Sequence, residues 1–197
     1  MADSTARVSN WSAPNIITIV RILFAPAFIW MLFASTDSPS DPLRWWAAGL
    51  FVVGMATDGV DGWIARRYNL ITDLGKILDP IADKVLTGGA LIGLSLIGEL
   101  PWWVTILILV REVGITIFRI AVLSKRVIPA SRGGKLKTIF QFLAITSALL
   151  PLQSIWGEWM NGVNIGLMTI AFVLTIGTGV AYLVEAWLHN RAGRAQN

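Results

Sequence analysis

The sequence predicts an all-α integral membrane protein: a bundle of six transmembrane helices with both termini on the cytoplasmic side. Three observations carry this expectation: the composition, six long apolar runs, and a charge asymmetry among the connections. Of 197 residues, 55% are hydrophobic and only 14% charged, against about 25% charged in an ordinary soluble domain. Mean hydropathy is +0.65. There is too little polar surface to cover a water-soluble fold. The net charge of +4 and pI of 9.9 would suggest a nucleic-acid partner in a soluble protein; in a membrane protein they belong to its loops, and no nucleic-acid partner is expected. Ten Trp and no Cys exclude a disulfide scaffold, a thiolate metal site and a Cys nucleophile.

Crossing ~30 Å of hydrocarbon takes roughly 20 helical residues. Six runs qualify, at about 14–34, 43–66, 78–98, 102–124, 136–153 and 162–186. They leave only tails and short connections, so residues 1–197 are expected to form a single membrane domain. Turn-forming residues separate the runs: Ser35 to Pro42, Gly98 to Pro101, and Pro151 to Asn161. The first run reads as a retained helix rather than a signal peptide. It is longer than a signal-peptide core, only Arg7 precedes it, and Arg21 interrupts it.

Lys and Arg in the connections set the orientation. Arg66, Arg67 and Lys76 follow the second run; Lys125, Arg126, Arg132, Lys135 and Lys137 follow the fourth; Arg191 and Arg194 follow the sixth. The alternate connections hold only Arg44, beside Asp37, Asp41, Glu99 and Glu158. Six spans put every basic connection on the cytoplasmic face. Trp30, Trp45, Trp46, Trp102, Trp103, Trp156 and Trp159 then fall at the opposite ends, as an interfacial aromatic belt does.

The belt and the loops leave four aspartates unexplained. An ionisable side chain within a spanning helix costs ~2.5–3.5 kcal/mol on insertion scales. Asp58 and Asp61 are three residues apart near the end of the second run; Asp79 and Asp83 are four apart at the start of the third. Each spacing puts both carboxylates on one helix face. The short connection makes the helices antiparallel neighbours, so the pairs can meet at one depth. Four converging carboxylates need positive charge between them, and hard divalent cations such as Mg²⁺, Mn²⁺ or Ca²⁺ suit oxygen ligands. Two such ions fit a clamp on the oxygens of a phosphoryl displacement. Gly59 and Gly62 allow close backbone approach, and Arg66 can fork onto a phosphate. The bland reading pairs the aspartates with Arg66, Arg67 and Lys84; it does not explain four carboxylates in two helical pairs.

The run Asp58-Gly-Val-Asp61-Gly62-Trp-Ile-Ala65-Arg66, followed by Gly75, Asp79 and Asp83, resembles the complete signature of the CDP-alcohol phosphatidyltransferases. That signature reads D-x2-D-G-x2-A-R-x8-G-x3-D-x3-D, and each fixed position is met. The six-helix architecture is similar too. The resemblance implies displacement of CMP from a CDP-linked lipid by an acceptor hydroxyl, with two divalent cations, Mg²⁺ or Mn²⁺, held by Asp58, Asp61, Asp79 and Asp83. It implies that Asp83 is also the general base. Gly62, Ala65, Arg66 and Gly75 would cradle the cytidine diphosphate, with Thr72, Asn15 and Arg21 as further candidates. It also implies a homodimer in a bacterial cell membrane.

The acceptor is less specified. Asn15 to Arg21, Gly75 to Lys84, Arg111-Glu112 and Pro129 to Gln141 resemble the branch of that family that uses CDP-diacylglycerol and glycerol 3-phosphate to make phosphatidylglycerophosphate. Arg119, Arg132, Lys135 and Lys137 are the candidate cations for the acceptor phosphate; the same lysines also satisfy the positive-inside rule and attraction to anionic lipid headgroups. Other acceptors for the same donor are phosphatidylglycerol and inositol phosphate. A reading from another class is a small cation transporter, since intramembrane aspartates also line ion paths; the clustering of these at one end of the bundle speaks against it. Arg111 and Glu112 lie near mid-span and are expected to pair structurally. His189, the single histidine, is expected in solvent. Gly89/Gly93 and Gly162/Gly166 have G-x-x-x-G spacing, which suits close packing within the chain or between copies.

Overall fold

The computed structural model describes residues 12–35, 41–68, 72–123 and 132–194. Its regular elements are all helical: α1 (Ala13–Ala34), α2 (Pro42–Arg67), α3 (Asp73–Leu96), α4 (Trp102–Leu123), α5 (Arg132–Leu149), α6 (Gln153–Trp156) and α7 (Trp159–Arg194). The six long helices overlap the six expected apolar runs. By length and composition, α1 and the Trp159–Glu185 part of α7 are apolar enough to cross a membrane. The other four long helices carry charged residues within a spanning length.

Helix ends depart from the apolar runs where capping, not hydropathy, sets them. Helix α3 starts at Asp73 rather than near 78, because the Thr72 hydroxyl caps it by accepting the Gly75 N–H at 3.0 Å. Helix α2 begins at Pro42, with Asp41 accepting the Leu43 N–H at 2.9 Å. Helix α5 begins at Arg132, ahead of its apolar run, and ends at Leu149, just before Pro151. Beyond it, α6 is a single turn within a stretch expected to be loop. Helix α7 continues to Arg194 because no proline interrupts its polar end.

The chain divides into two compact units, residues 1–97 and 98–197. In the first, α1 packs against both α2 and α3. Its buried face runs through Asn15, Thr18, Arg21, Ala25, Phe28 and Leu32, the three-and-four spacing of a helical seam. The apolar half of this seam meets Phe51, 6.0 Å from Phe28 between ring centroids. A Cβ on Gly89 would lie 3.1 Å from Ile29 Cδ1, and one on Gly93 would lie 2.8 Å from Leu32 Cδ2. This first G-x-x-x-G pair therefore serves packing within the chain. Gly54 likewise faces Leu86, where a Cβ would lie 2.7 Å from Leu86 Cδ2. These contacts run α1 antiparallel to α2 and parallel to α3.

The second unit repeats the plan with α7 in the middle, packed against α4 and α5. Trp103 meets Phe172 edge-on at 5.4 Å, and Phe118 meets Tyr182 at 6.0 Å, so α7 runs parallel to α4. Ser147 donates to Asn164 Oδ1, which fits the antiparallel turn from α5 into α7. Gly162 and Gly166 face open space within the described residues. The seven tryptophans assigned to the interfacial belt are all exposed, and so are Trp63 and Trp187 near the opposite helix ends.

Candidate active site

Two helix ends and one polar stripe build the site in the first unit. Near the close of α2, Asp58 and Asp61 share a face; near the start of α3, so do Asp79 and Asp83. The antiparallel register that sets Gly54 against Leu86 carries Asp58 towards Asp83 and Asp61 towards Asp79. The two helix ends meet at α1, where Thr18 Oγ1 lies within hydrogen-bond reach of both Asp61 Oδ2 and Asp79 Oδ1.

Helix α1 supplies the polar stripe, as Asn15, Thr18 and Arg21 recur every three residues on its buried face. The two Nη atoms of Arg21 reach Asp58 Oδ1 and Asp61 Oδ2 in separate ion pairs. Arg21 is 1% exposed; the side chains of Asp61 and Asp58 are 4% and 47% exposed. Thr18 Oγ1 lies 3.3 Å from Asp61 Oδ2 and 3.1 Å from Asp79 Oδ1. Asp83 Oδ2 accepts from Lys84 Nζ at 3.0 Å. Among the described residues, Arg21 and Lys84 bring positive charge to these carboxylates.

A second polar knot adjoins the start of α3. Asn15 Nδ2 donates to Thr72 Oγ1 at 2.8 Å, and this oxygen also receives the Gly75 N–H. A side chain at Gly75 has no room: its Cβ would lie 2.8 Å from Asn15 Oδ1 and 3.2 Å from Thr72 Oγ1. A Cβ there would have to displace the Asn15 or Thr72 side chain. The structure thereby brings together Asn15, Thr72 and Gly75, three of the candidates for the cytidine diphosphate, and places Arg21 with the aspartates instead. Gly62 and Ala65 are half-buried on α2. The Arg66 side chain lies outside the described residues.

The candidates for an acceptor phosphate belong to the second unit. Lys135 is exposed on α5. Lys137 is buried and pairs with Glu112 Oε1, which Arg111 Nη1 also contacts at 3.0 Å. The expected pairing of Arg111 and Glu112 is present, and Lys137 joins it. Arg111 Nη2 continues to Thr178 Oγ1 at 2.9 Å, lying so close to Gly179 that a Cβ there would sit 2.9 Å from Arg111 Cγ. The side chains of Arg119 and Arg132 lie outside the described residues.

Sequence reasoning missed Thr18 and the partners of Arg21. The signal was available: a Thr midway between Asn15 and Arg21 at helical spacing, in an otherwise apolar segment. Among the described residues no three acidic or His side chains close into a ready metal cage. The donor chemistry nevertheless fits a hard divalent cation. It consists of carboxylate oxygens from facing helix ends, and a cationic group already sits on two of them.

The family model for CDP-alcohol phosphatidyltransferase matches residues 11–178. The chain is 45% identical over 183 residues to a probable phosphatidylglycerophosphate synthase of Mycobacterium tuberculosis (strain CDC 1551 / Oshkosh), covering 92% of this chain and 83% of the relative. It is 38% identical over 189 residues to the CDP-diacylglycerol–glycerol-3-phosphate 3-phosphatidyltransferase of Bacillus subtilis (strain 168), covering 90% and 96%. It is 39% identical over 173 residues to the protein of that name from Rickettsia typhi, covering 86% and 93%. The match takes in the aspartates of α2 and α3 and the polar stripe of α1, and it makes this chain a member of the CDP-alcohol phosphatidyltransferase family.

Proposed function

We propose that the protein transfers the phosphatidyl group of CDP-diacylglycerol to glycerol 3-phosphate, giving phosphatidylglycerophosphate and CMP. The observation that carries this reading is the register of α2 against α3, which sets Asp58 and Asp61 towards Asp79 and Asp83 with Thr18 between Asp61 and Asp79, in a chain whose relatives are named for that reaction. The acceptor hydroxyl forms the new bond to the β-phosphorus of the donor. The bond to the CMP oxygen breaks, and its electron pair leaves with CMP. Asp83 accepts the hydroxyl proton at a carboxylate oxygen, while Lys84 Nζ steadies Oδ2. Asp58, Asp61, Asp79 and Asp83 hold two divalent cations, Mg²⁺ or Mn²⁺. When bound, these neutralise the diphosphate and stabilise the departing charge.

Gly62, Ala65, Arg66 and Gly75 are the residues assigned to the cytidine diphosphate, with Asn15 and Thr72 ordering the start of α3 beside Gly75. Arg21 belongs to the same donor end through Asp58 and Asp61. An anionic acceptor calls for further cations. Among Arg119, Arg132, Lys135 and Lys137, Lys135 is the described one that is open to a solute. We further propose six membrane crossings with both termini and the aspartates at the cytoplasmic face of the bacterial cell membrane. Residues 1–197 act as one functional domain surrounded by lipid, and the protein works as a homodimer.

The test uses purified protein, CDP-diacylglycerol and Mn²⁺, with glycerol 3-phosphate, phosphatidylglycerol or inositol phosphate supplied one at a time. CMP release is expected with glycerol 3-phosphate. Release with phosphatidylglycerol but not with glycerol 3-phosphate refutes the acceptor assignment. No release with any of them refutes the transferase reading and returns the aspartates to an ion path.

A further inference from the structure

Arg21 is an expensive side chain to keep where it is. It is buried on the polar stripe that α1 presents to α2, and among the described residues its Nε has no hydrogen-bond partner. A buried guanidinium carries a desolvation cost that ion pairs and hydrogen bonds must offset. The two Nη atoms do not fork onto one carboxylate. They reach one oxygen on each of two carboxylates a helical turn apart, Asp58 Oδ1 and Asp61 Oδ2. Thr18 Oγ1 bridges from Asp61 towards Asp79. Bridging two carboxylates through single oxygens is what a divalent cation does; here a side chain of α1 does it.

We infer that Arg21 is a built-in stand-in cation. In the metal-free protein its guanidinium balances Asp58 and Asp61 and keeps the end of α2 against α1, and it competes with the divalent ion for the same oxygens. This rests on the proposal that the aspartates hold such ions. Arg21 is then a positioning residue that trades metal affinity for a folded, receptive site when no ion is bound. Removing its charge is expected to strengthen ion binding and to make the fold depend on the ion.

The experiment compares wild type, Arg21→Met and Arg21→Lys in detergent. Mn²⁺ binding is read by electron paramagnetic resonance of the free ion, and thermal unfolding is followed in EDTA and in saturating Mn²⁺. Arg21→Met is expected to bind Mn²⁺ roughly tenfold tighter than wild type or more, the scale of losing one charge-assisted competitor. It is also expected to melt lower than wild type in EDTA and to gain more from Mn²⁺. Arg21→Lys, with a shorter point charge, is expected to fall between the two in affinity; if Arg21→Met does not fold in either buffer, this variant decides. Unchanged or weaker Mn²⁺ binding by a folded variant overturns the inference while leaving the metal reading intact. No Mn²⁺ binding by wild type or either variant overturns the metal reading and this inference with it.

Discussion

The two units bury polar clusters of opposite design. In the first, Arg21 faces Asp58 and Asp61, with Asp79 and Asp83 adding further negative charge. Two of these carboxylates, Asp58 and Asp79, are exposed. In the second, the single carboxylate of Glu112 lies between Arg111 and Lys137, and both Glu112 and Lys137 are buried. Among the described residues, the first cluster sets four carboxylates against Arg21 and Lys84 and is partly open, whereas Glu112 in the second has two cations on it and is closed. Both have a middle helix, a parallel neighbour and an antiparallel one, so the architecture does not distinguish them. Charge balance and access do. An open excess of carboxylate is a place to bring cations and phosphates, whereas a closed, saturated cluster fixes helices to one another.

If that division holds, substitutions in the two units fail in different ways. The largest effect is expected from Asp83→Asn. CMP release should fall by ~10²–10⁴, the usual worth of a general base, with the melting temperature close to wild type. Near-normal turnover would remove Asp83 as the base. Glu112→Gln should do the reverse. Arg111 and Lys137 lose their shared counter-charge in a buried position, at a cost of ~3–5 kcal/mol of stability, read as a lower melting temperature or denaturant midpoint. An unchanged midpoint would mean that the cluster does not hold the second unit together.

Two glycines sharpen the contrast within the first unit. Gly75→Ala pushes a methyl into Asn15 and Thr72 and should cost ~1–3 kcal/mol as an overpacked site, loosening the start of α3 and raising KM for the lipid donor. Gly59 has nothing within 4 Å of its Cβ position. Gly59→Ala should therefore fold at least as well as wild type, with a gain of up to ~1 kcal/mol from helix propensity. A rise in donor KM without loss of stability would mark it as a point of substrate approach; equal destabilisation of both variants would show that the packing argument is wrong.

Much of this was legible in the residues, for identifiable reasons. Hydropathy located the six long helices because an apolar run of spanning length has few alternatives to helix. It misplaced the start of α3 because a threonine cap, invisible to hydropathy, extends the helix into the polar connection. The aspartates could be grouped because three- and four-residue spacings and a short connection leave little freedom. Arg111 and Glu112 were expected to pair, since two adjacent charges at mid-span have nowhere else to go. Partners distant in sequence were not legible. Nothing in the spacing of Arg21 says that it meets residues 37 and 40 positions away, and Lys137 reads as a loop cation until α5 turns it onto Glu112. Helical period shows which side chains share a face; only the packing of helices shows what they face.

The most direct measurement follows lipid and nucleotide together. Reconstituted protein would be given CDP-diacylglycerol, Mn²⁺ and radiolabelled glycerol 3-phosphate, with CMP and lipid-soluble label quantified in the same reaction. Transfer predicts one phosphatidylglycerophosphate formed for each CMP released, with both abolished together in Asp83→Asn. CMP released without label entering the lipid would mean that water, not glycerol 3-phosphate, is the acceptor, and would contradict the assigned reaction.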